Sequence, residues 1–248
     1  MSNSNISGAF TSSLPDNHIV QVFSSMECLR AAANDVFSSL DKQESTNQWL
    51  LVFGLSSTTI KRLEDHDCLE GINYRFQWEG TSGLIKVIPT VHHESVTSRL
   101  MFSLNDAFAR IGLDWRDAEW VRAATYKPNA TKGKEADDAF VPPSRCTPRL
   151  SSIGWPTLVI ETGMSESLSQ LRADAATWFT MSNGNVRIVL VVAIKNSRVD
   201  IEQWQLAPTG APVPLTPVYI ASLCRQSPNL PHYPPRFRLV NSHIARRK

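Results

Sequence analysis

The sequence contains no long apolar run and no recognisable export signal. None of its apolar stretches approaches the roughly 18–20 residues that a helix needs to cross a bilayer. Residues 1–14 are rich in Ser and Asn and have neither a basic start nor an apolar core, so they do not resemble a signal peptide. We therefore expect no membrane span and an intracellular protein, cytoplasmic or nuclear.

Cysteine is scarce and is not arranged in pairs. The chain has four cysteines, Cys28, Cys68, Cys146 and Cys224, without a CxxC motif or a cluster of Cys and His. Zinc sites need such closely spaced ligands, and disulfides are rare in reducing compartments. The sequence thus predicts no zinc site and reduced, mostly buried thiols.

A marked excess of one charge is also absent. Lys and Arg number 25 against 23 Asp and Glu, which gives a formal net charge of +2. This balance excludes a strongly cationic nucleic-acid coat, because such proteins neutralise many phosphates. Basic residues concentrate in residues 225–248, so a nucleic-acid-binding surface, if present, is expected to be local and near this end.

Hydrophobic periodicity predicts an α/β protein. Apolar residues recur every three to four positions over 25–40 and 91–111, which is typical of amphipathic helices, whereas 48–55, 155–162 and 186–194 are compact apolar runs typical of strands. The other predicted elements are a short helix at 56–63, strands at 72–78, 84–88, 119–126, 136–141 and 199–206, a polar turn at 128–134 and a helix that begins at Ser165. From residue 91 onward, hairpin-like links between strands stand beside a strand–helix–strand crossover. This order of elements favours a mixed sheet.

Three acidic positions lie at the ends of these elements. Glu94 falls in the first turn of a predicted helix, Asp137 or Asp138 lies in a short strand, and Glu161 ends an apolar strand. If these carboxylates converge at the edge of the sheet, they provide the oxygen ligands that Mg²⁺ prefers. If each lies alone, it is a solvated strand end or an acid at the start of a helix. Alternation of side chains leaves open which of the two aspartates faces the site.

Three segments resemble a group of fungal proteins of the PD-(D/E)XK nuclease-like superfamily. They are GKEADDAFVPP at 133–143, GWPTLVIETGMSESLSQLRADAATWF at 154–179 and VRIVLVVAI at 186–194. The resemblance implies a restriction-endonuclease-like core at 85–206, with a mixed β-sheet flanked by helices in the order αβββαβ. Around it we expect a flexible arm at 1–17, a helical and strand extension packed on the core at 18–84, and a proline-rich, basic extension at 207–248.

The same resemblance implies a metal-dependent site. Asp137 takes the place of the motif aspartate, Glu161 that of the motif glutamate and Glu94 that of the helical acid, and together they would hold Mg²⁺ or Mn²⁺. Ala136 stands where the motif proline is usual.

The motif lysine is missing from its usual position. Gly163 stands there, and the helix that follows offers Gln170 and Arg172 instead. Gln170 could orient a water molecule and Arg172 could hold a phosphate, but an arginine cannot transfer a proton.

Three functions are compatible with these residues. The first is metal-dependent hydrolysis of DNA or RNA phosphodiesters. The second is a catalytically altered nuclease-fold protein that binds nucleic acid or a protein partner, as the missing lysine suggests. The third is an enzyme that uses the same cleft for a small molecule, since a fold does not determine a function.

Overall fold

The protein is a mixed α/β structure. The computed structural model describes residues 13–66, 69–88, 91–114, 119–146, 154–164, 168–195, 199–206 and 218–224. The helices are α1 (Met26–Asp41), α2 (Ser57–Glu64), α3 (Val91–Arg110) and α4 (Leu168–Met181). The strands are β1 (Ile19–Val22), β2 (Trp49–Phe53), β3 (Tyr74–Glu79), β4 (Ser82–Val87), β5 (Glu119–Trp120), β6 (Thr125–Asn129), β7 (Lys132–Glu135), β8 (Asp138–Val141), β9 (Leu158–Met164), β10 (Ile188–Ile194), β11 (Val199–Gln205) and β12 (Val218–Cys224).

Capping residues set the starts of the first two helices. The Ser25 hydroxyl accepts a hydrogen bond from the Cys28 amide at 3.2 Å, which satisfies one of the unpaired N–H groups at the start of α1. The Ser56 hydroxyl does the same for the Thr59 amide in α2. Helices α1 and α3 confirm the two helices predicted from apolar spacing, and α2 confirms the short helix predicted at 56–63.

The first sheet has the strand order β1-β2-β4-β3-β7-β6. Only β1 and β2 are parallel, so the sheet is mixed. Apolar side chains of α1, α2 and one face of this sheet form its core. Gly83 lies under that core: a Cβ at this position would be 2.5 Å from Leu55 Cδ1 and 2.7 Å from Phe76 Cε2. Only a residue without a side chain fits there.

The second sheet has the strand order β12-β11-β10-β9-β8-β5. Strands β9 and β10 are parallel and are joined through α4, while the other neighbours are antiparallel. On one face, Leu100 of α3 packs with Ile160 and Val192 of the sheet. Both sheets are therefore mixed, as expected for an α/β protein with hairpins beside a crossover.

Two predictions between residues 119 and 135 are wrong. The single strand predicted at 119–126 is two strands, β5 and β6, which belong to different sheets. The polar turn predicted at 128–134 is a hairpin of β6 and β7 with only residues 130–131 in its turn. Strand β7 reads KGKE, so it has no apolar alternation, and its pairing with β3 becomes evident only in three dimensions. Strands β1 and β12 were not predicted either.

The chain divides into two compact units. The first contains the first sheet with α1 and α2, and residues 168–173 of α4 belong to it. The second contains the second sheet, α3 and the part of α4 from Asp174 onward. Within the described residues, no helix combines the length and the apolar character that crossing a membrane requires.

The cysteines that the structure describes differ from the expectation of mostly buried thiols. Cys28 is exposed and Cys146 is half-buried, and both are free. Hydrogen bonds from Ser24 and Ser25 lower the pKa of the Cys28 thiol. Burial, together with the nearby Glu119, raises the pKa of Cys146 to about 11. The side chains of Cys68 and Cys224 lie outside the described residues.

These opposite shifts predict selective alkylation. Because the thiolate is the nucleophile, we expect iodoacetamide at pH 8 to modify Cys28 at least about tenfold faster than Cys146. Peptide mass spectrometry reads each cysteine separately. Ser24→Ala should slow the reaction of Cys28 by raising its pKa, and should leave Cys146 unchanged. Equal rates at the two cysteines would contradict this account of the thiols.

Candidate active site

Strand β9 carries two buried polar residues within an otherwise apolar segment. Glu161 is 2% exposed and Thr162 is fully buried. Successive side chains of a strand point to opposite faces of the sheet, so these two neighbours face different helices. Their contacts define two sides of the candidate site.

Glu161 is oriented by the indole of Trp178. The Nε1–H of Trp178, in α4, donates to Oε1 of Glu161 at 2.6 Å, and the Trp178 side chain is completely buried. A buried carboxyl needs such donors, because burial without them is costly. The contact defines the direction in which the carboxyl points on the α4 side of the sheet.

On the opposite face, Thr162 is bonded to α3. Thr97 Oγ1 donates to the His93 carbonyl at 3.0 Å and lies 2.9 Å from Thr162 Oγ1. Since the single Thr97 hydroxyl proton is used in the first bond, the Thr162 hydroxyl is the donor in the second. His93 Nε2 lies 2.9 Å from the Thr162 carbonyl oxygen. A carbonyl can only accept, so His93 carries a proton on Nε2.

Asp137 approaches β9 from the bend that precedes β8. Its Oδ2 accepts the Thr162 amide at 2.7 Å and lies 3.6 Å from His93 Nε2. Asp138, the first residue of β8, instead accepts the amides of Ala139 at 2.8 Å and Arg122 at 3.2 Å through Oδ1. Of the two aspartates between which the sequence could not decide, Asp137 is the one whose carboxyl is bonded to β9, at the residue after Glu161.

The other predicted site residues occupy different places. Glu94 lies in the first turn of α3, as predicted, and is half-buried. Gln170 and Arg172 lie on α4 in the part that belongs to the first unit. There the amide oxygen of Gln170 accepts a hydrogen bond from the Ser13 hydroxyl at 2.7 Å, and Arg172 is exposed. The catalytic roles of all three remain predictions.

No protein-family model and no curated protein matches the chain.

Two carboxyls are compatible with a magnesium ion. Mg²⁺ often binds through one or two carboxylates and completes its octahedron with water and substrate phosphates. Asp137 and Glu161 are carboxyl side chains, the kind of oxygen ligand that such an ion prefers. Among the residues that the structure describes, no group of three or more His, Cys, Asp or Glu side chains is arranged to hold a metal, and the set of Glu94, Asp137 and Glu161 stays a prediction.

Sequence reasoning missed four residues of this cluster: His93, Thr97, Thr162 and Trp178. His93 and Thr97 are four residues apart, on the same side of α3 as Leu100, and that spacing was a signal for burial. Nothing in the local sequence shows that both would meet Thr162, which is 65 or more residues away.

Proposed function

We propose that the second unit is a metal-dependent, nuclease-like domain that hydrolyses nucleic-acid phosphodiesters at Asp137 and Glu161. The observation that carries this proposal is the bond from the Thr162 amide to Asp137 Oδ2 at 2.7 Å. It brings the aspartate to the strand residue next to Glu161, from a separate segment of the chain. Carboxylates from neighbouring segments are ligands of the kind that hold a metal ion in phosphoryl transfer.

The strand arrangement supports the same proposal. In the second unit the order α3, β5, β8, β9, α4, β10 follows the αβββαβ pattern expected for a restriction-endonuclease-like core. The four strands are direct neighbours in one sheet, and the last two are parallel. Glu161 lies on β9, and Asp137 immediately precedes β8, the antiparallel neighbour of β9.

The chemistry would be a hydrolysis. A water oxygen forms a bond to phosphorus, the bond from phosphorus to the leaving oxygen breaks, and a water proton ends on that oxygen, which gives a phosphate monoester and a hydroxyl. A divalent ion held by Asp137 and Glu161 would neutralise phosphate charge and lower the pKa of the water. The protein orients the carboxyls, Glu161 through Trp178 and Asp137 through the Thr162 amide.

A second candidate is a nuclease-fold protein that binds nucleic acid without cleaving it. Gly163 favours it, because this buried position lies on the same face of β9 as Glu161 and offers no side chain. A lysine there would supply a charged group that can transfer a proton. Without it, the two carboxyls could bind an ion and a phosphate but contribute less to breaking the ester.

One assay separates the two candidates. The full chain is incubated with single- and double-stranded DNA and RNA, with Mg²⁺, Mn²⁺ or EDTA, and the products are resolved on denaturing gels. We expect at least one substrate to be cleaved with either metal and none with EDTA. Binding without cleavage, measured by fluorescence anisotropy on the same oligonucleotides, would favour the second candidate. Neither cleavage nor binding with any substrate would refute both.

A further inference from the structure

Strand β8 is shorter than its neighbour β9 and leaves the C-terminal residues of β9 without a paired backbone on that side. Its first residue, Asp138, pairs with Ile160, and no backbone of β8 lies opposite Thr162. The N–H and C=O groups of one strand residue point toward the same neighbouring strand. Both backbone groups of Thr162 therefore need partners that β8 does not provide.

Two side chains provide them. Asp137 Oδ2 accepts the Thr162 N–H at 2.7 Å, and His93 Nε2 donates to the Thr162 C=O at 2.9 Å. Together they replace the missing β8 residue in the ladder. Because Nε2 is also 3.6 Å from Asp137 Oδ2, the imidazole stands directly beside the carboxyl.

We propose that His93 is a positioning residue, which holds Asp137 in the orientation that the candidate active site requires. This inference rests on the proposed function for its catalytic consequence, but the positioning itself can be measured separately. Outer-shell partners of this kind orient metal-binding carboxylates, and their loss typically lowers metal affinity or activity about 10–100-fold.

The burial of His93 supports a role beyond packing. The residue is 2% exposed, and its Nδ1 has no hydrogen-bond partner among the described residues. An unsatisfied buried polar atom costs stability, and an apolar side chain of similar size would avoid that cost. The imidazole is favoured at this position only if its Nε2–H is needed.

Four variants test the proposal. His93→Leu removes the donor and keeps the bulk, whereas His93→Gln restores an N–H near the position of Nε2. Thr97→Val is the matched control, since it removes the other bond between α3 and Thr162 without touching Asp137. Asp137→Asn is the reference for a lost carboxylate.

Two measurements are made on each variant: hydrogen exchange of the Thr162 amide by NMR, and kcat and KM with the best substrate at saturating metal. In His93→Leu we expect Thr162 exchange to be about tenfold faster than in the wild type, the change that loss of one hydrogen bond produces. We expect kcat to fall about 10–100-fold with KM within about threefold. His93→Gln should restore most of both, and Thr97→Val should lower kcat less than His93→Leu does.

Each outcome decides the inference. If His93→Leu and Thr97→Val change exchange and kcat equally, His93 only packs, and the proposal is wrong. If kcat falls while Thr162 exchange does not change, His93 acts in another way, and the positioning role is also wrong. If the wild type cleaves nothing but Thr162 exchange responds to His93→Leu and recovers in His93→Gln, the positioning stands and the nuclease function fails.

Discussion

Glu161→Gln is expected to lower the proposed metal-dependent hydrolysis by at least about 100-fold, more than the loss of a group that only orients a metal ligand. The substitution keeps the size of the side chain and an oxygen that can accept the Trp178 indole N–H. It removes the negative charge that would hold a divalent ion. A loss of activity without a loss of structure would therefore report on the ion site. Initial rates are measured with the best substrate over a range of Mn²⁺ concentrations.

Glu202→Gln is the matched control. Glu202 is also buried, lies in the same sheet and accepts the indole N–H of Trp204 at 3.1 Å. Both glutamates are in register with Val191 of β10, from its two sides, and thus share one face of the sheet. We expect the activity of Glu202→Gln to stay within about threefold of the wild type. Equal losses in both variants would show that any buried charge in this sheet matters, and would argue against a specific role of Glu161.

Glu135→Ala is expected to lower the free energy of unfolding by about 2–4 kcal/mol. The Glu135 carboxyl is fully buried at the end of β7. It accepts the Phe76 amide at 2.9 Å and the Thr125 hydroxyl at 3.1 Å, and it lies 3.1 Å from His66 Nε2. Removing it leaves a buried backbone N–H and a hydroxyl without their acceptor, which costs more than the bonds themselves contributed.

Glu79→Ala on the same sheet provides the comparison. Glu79 lies 3.4 Å from Lys132, and both side chains are partly exposed. Such surface pairs contribute less than about 1 kcal/mol. Urea unfolding followed by tryptophan fluorescence and circular dichroism measures both variants. If Glu135→Ala cost no more than Glu79→Ala, the three contacts of Glu135 would not stabilise the first sheet.

The elements that the sequence predicts well have strong periodicity. The spacing of Leu29, Ala33, Val36 and Leu40 predicts α1, and these four residues are buried together. The apolar run at 186–194 likewise predicts β10. Strand β7 was missed because its letters, KGKE, are polar and small. It is a strand because Gly133 lies against the Trp78 ring and because Glu135 finds its hydrogen-bond donors on the neighbouring strands.

The candidate site shows the same difference between what the sequence predicts and what depends on contacts between distant segments. Resemblance to a nuclease family suggested Asp137 and Glu161, but the residues that orient them were not expected. Trp178 carried no signal of a role at the site, and its indole N–H is bonded to Glu161. His93 carried no motif, and its contact with Thr162 spans 69 residues of the chain.

Local patterns in this chain are sufficient for its α/β class, for most helix and strand positions and for the absence of any long apolar span. They suffice because apolar periodicity and capping act over a few neighbouring residues. The bond between the Asp137 carboxyl and Thr162 and the place of His93 at the open edge of β9 depend on where β8 begins, and the bond between Glu161 and Trp178 depends on how α4 packs on β9. These arrangements join segments far apart in sequence, so only the folded structure decides them.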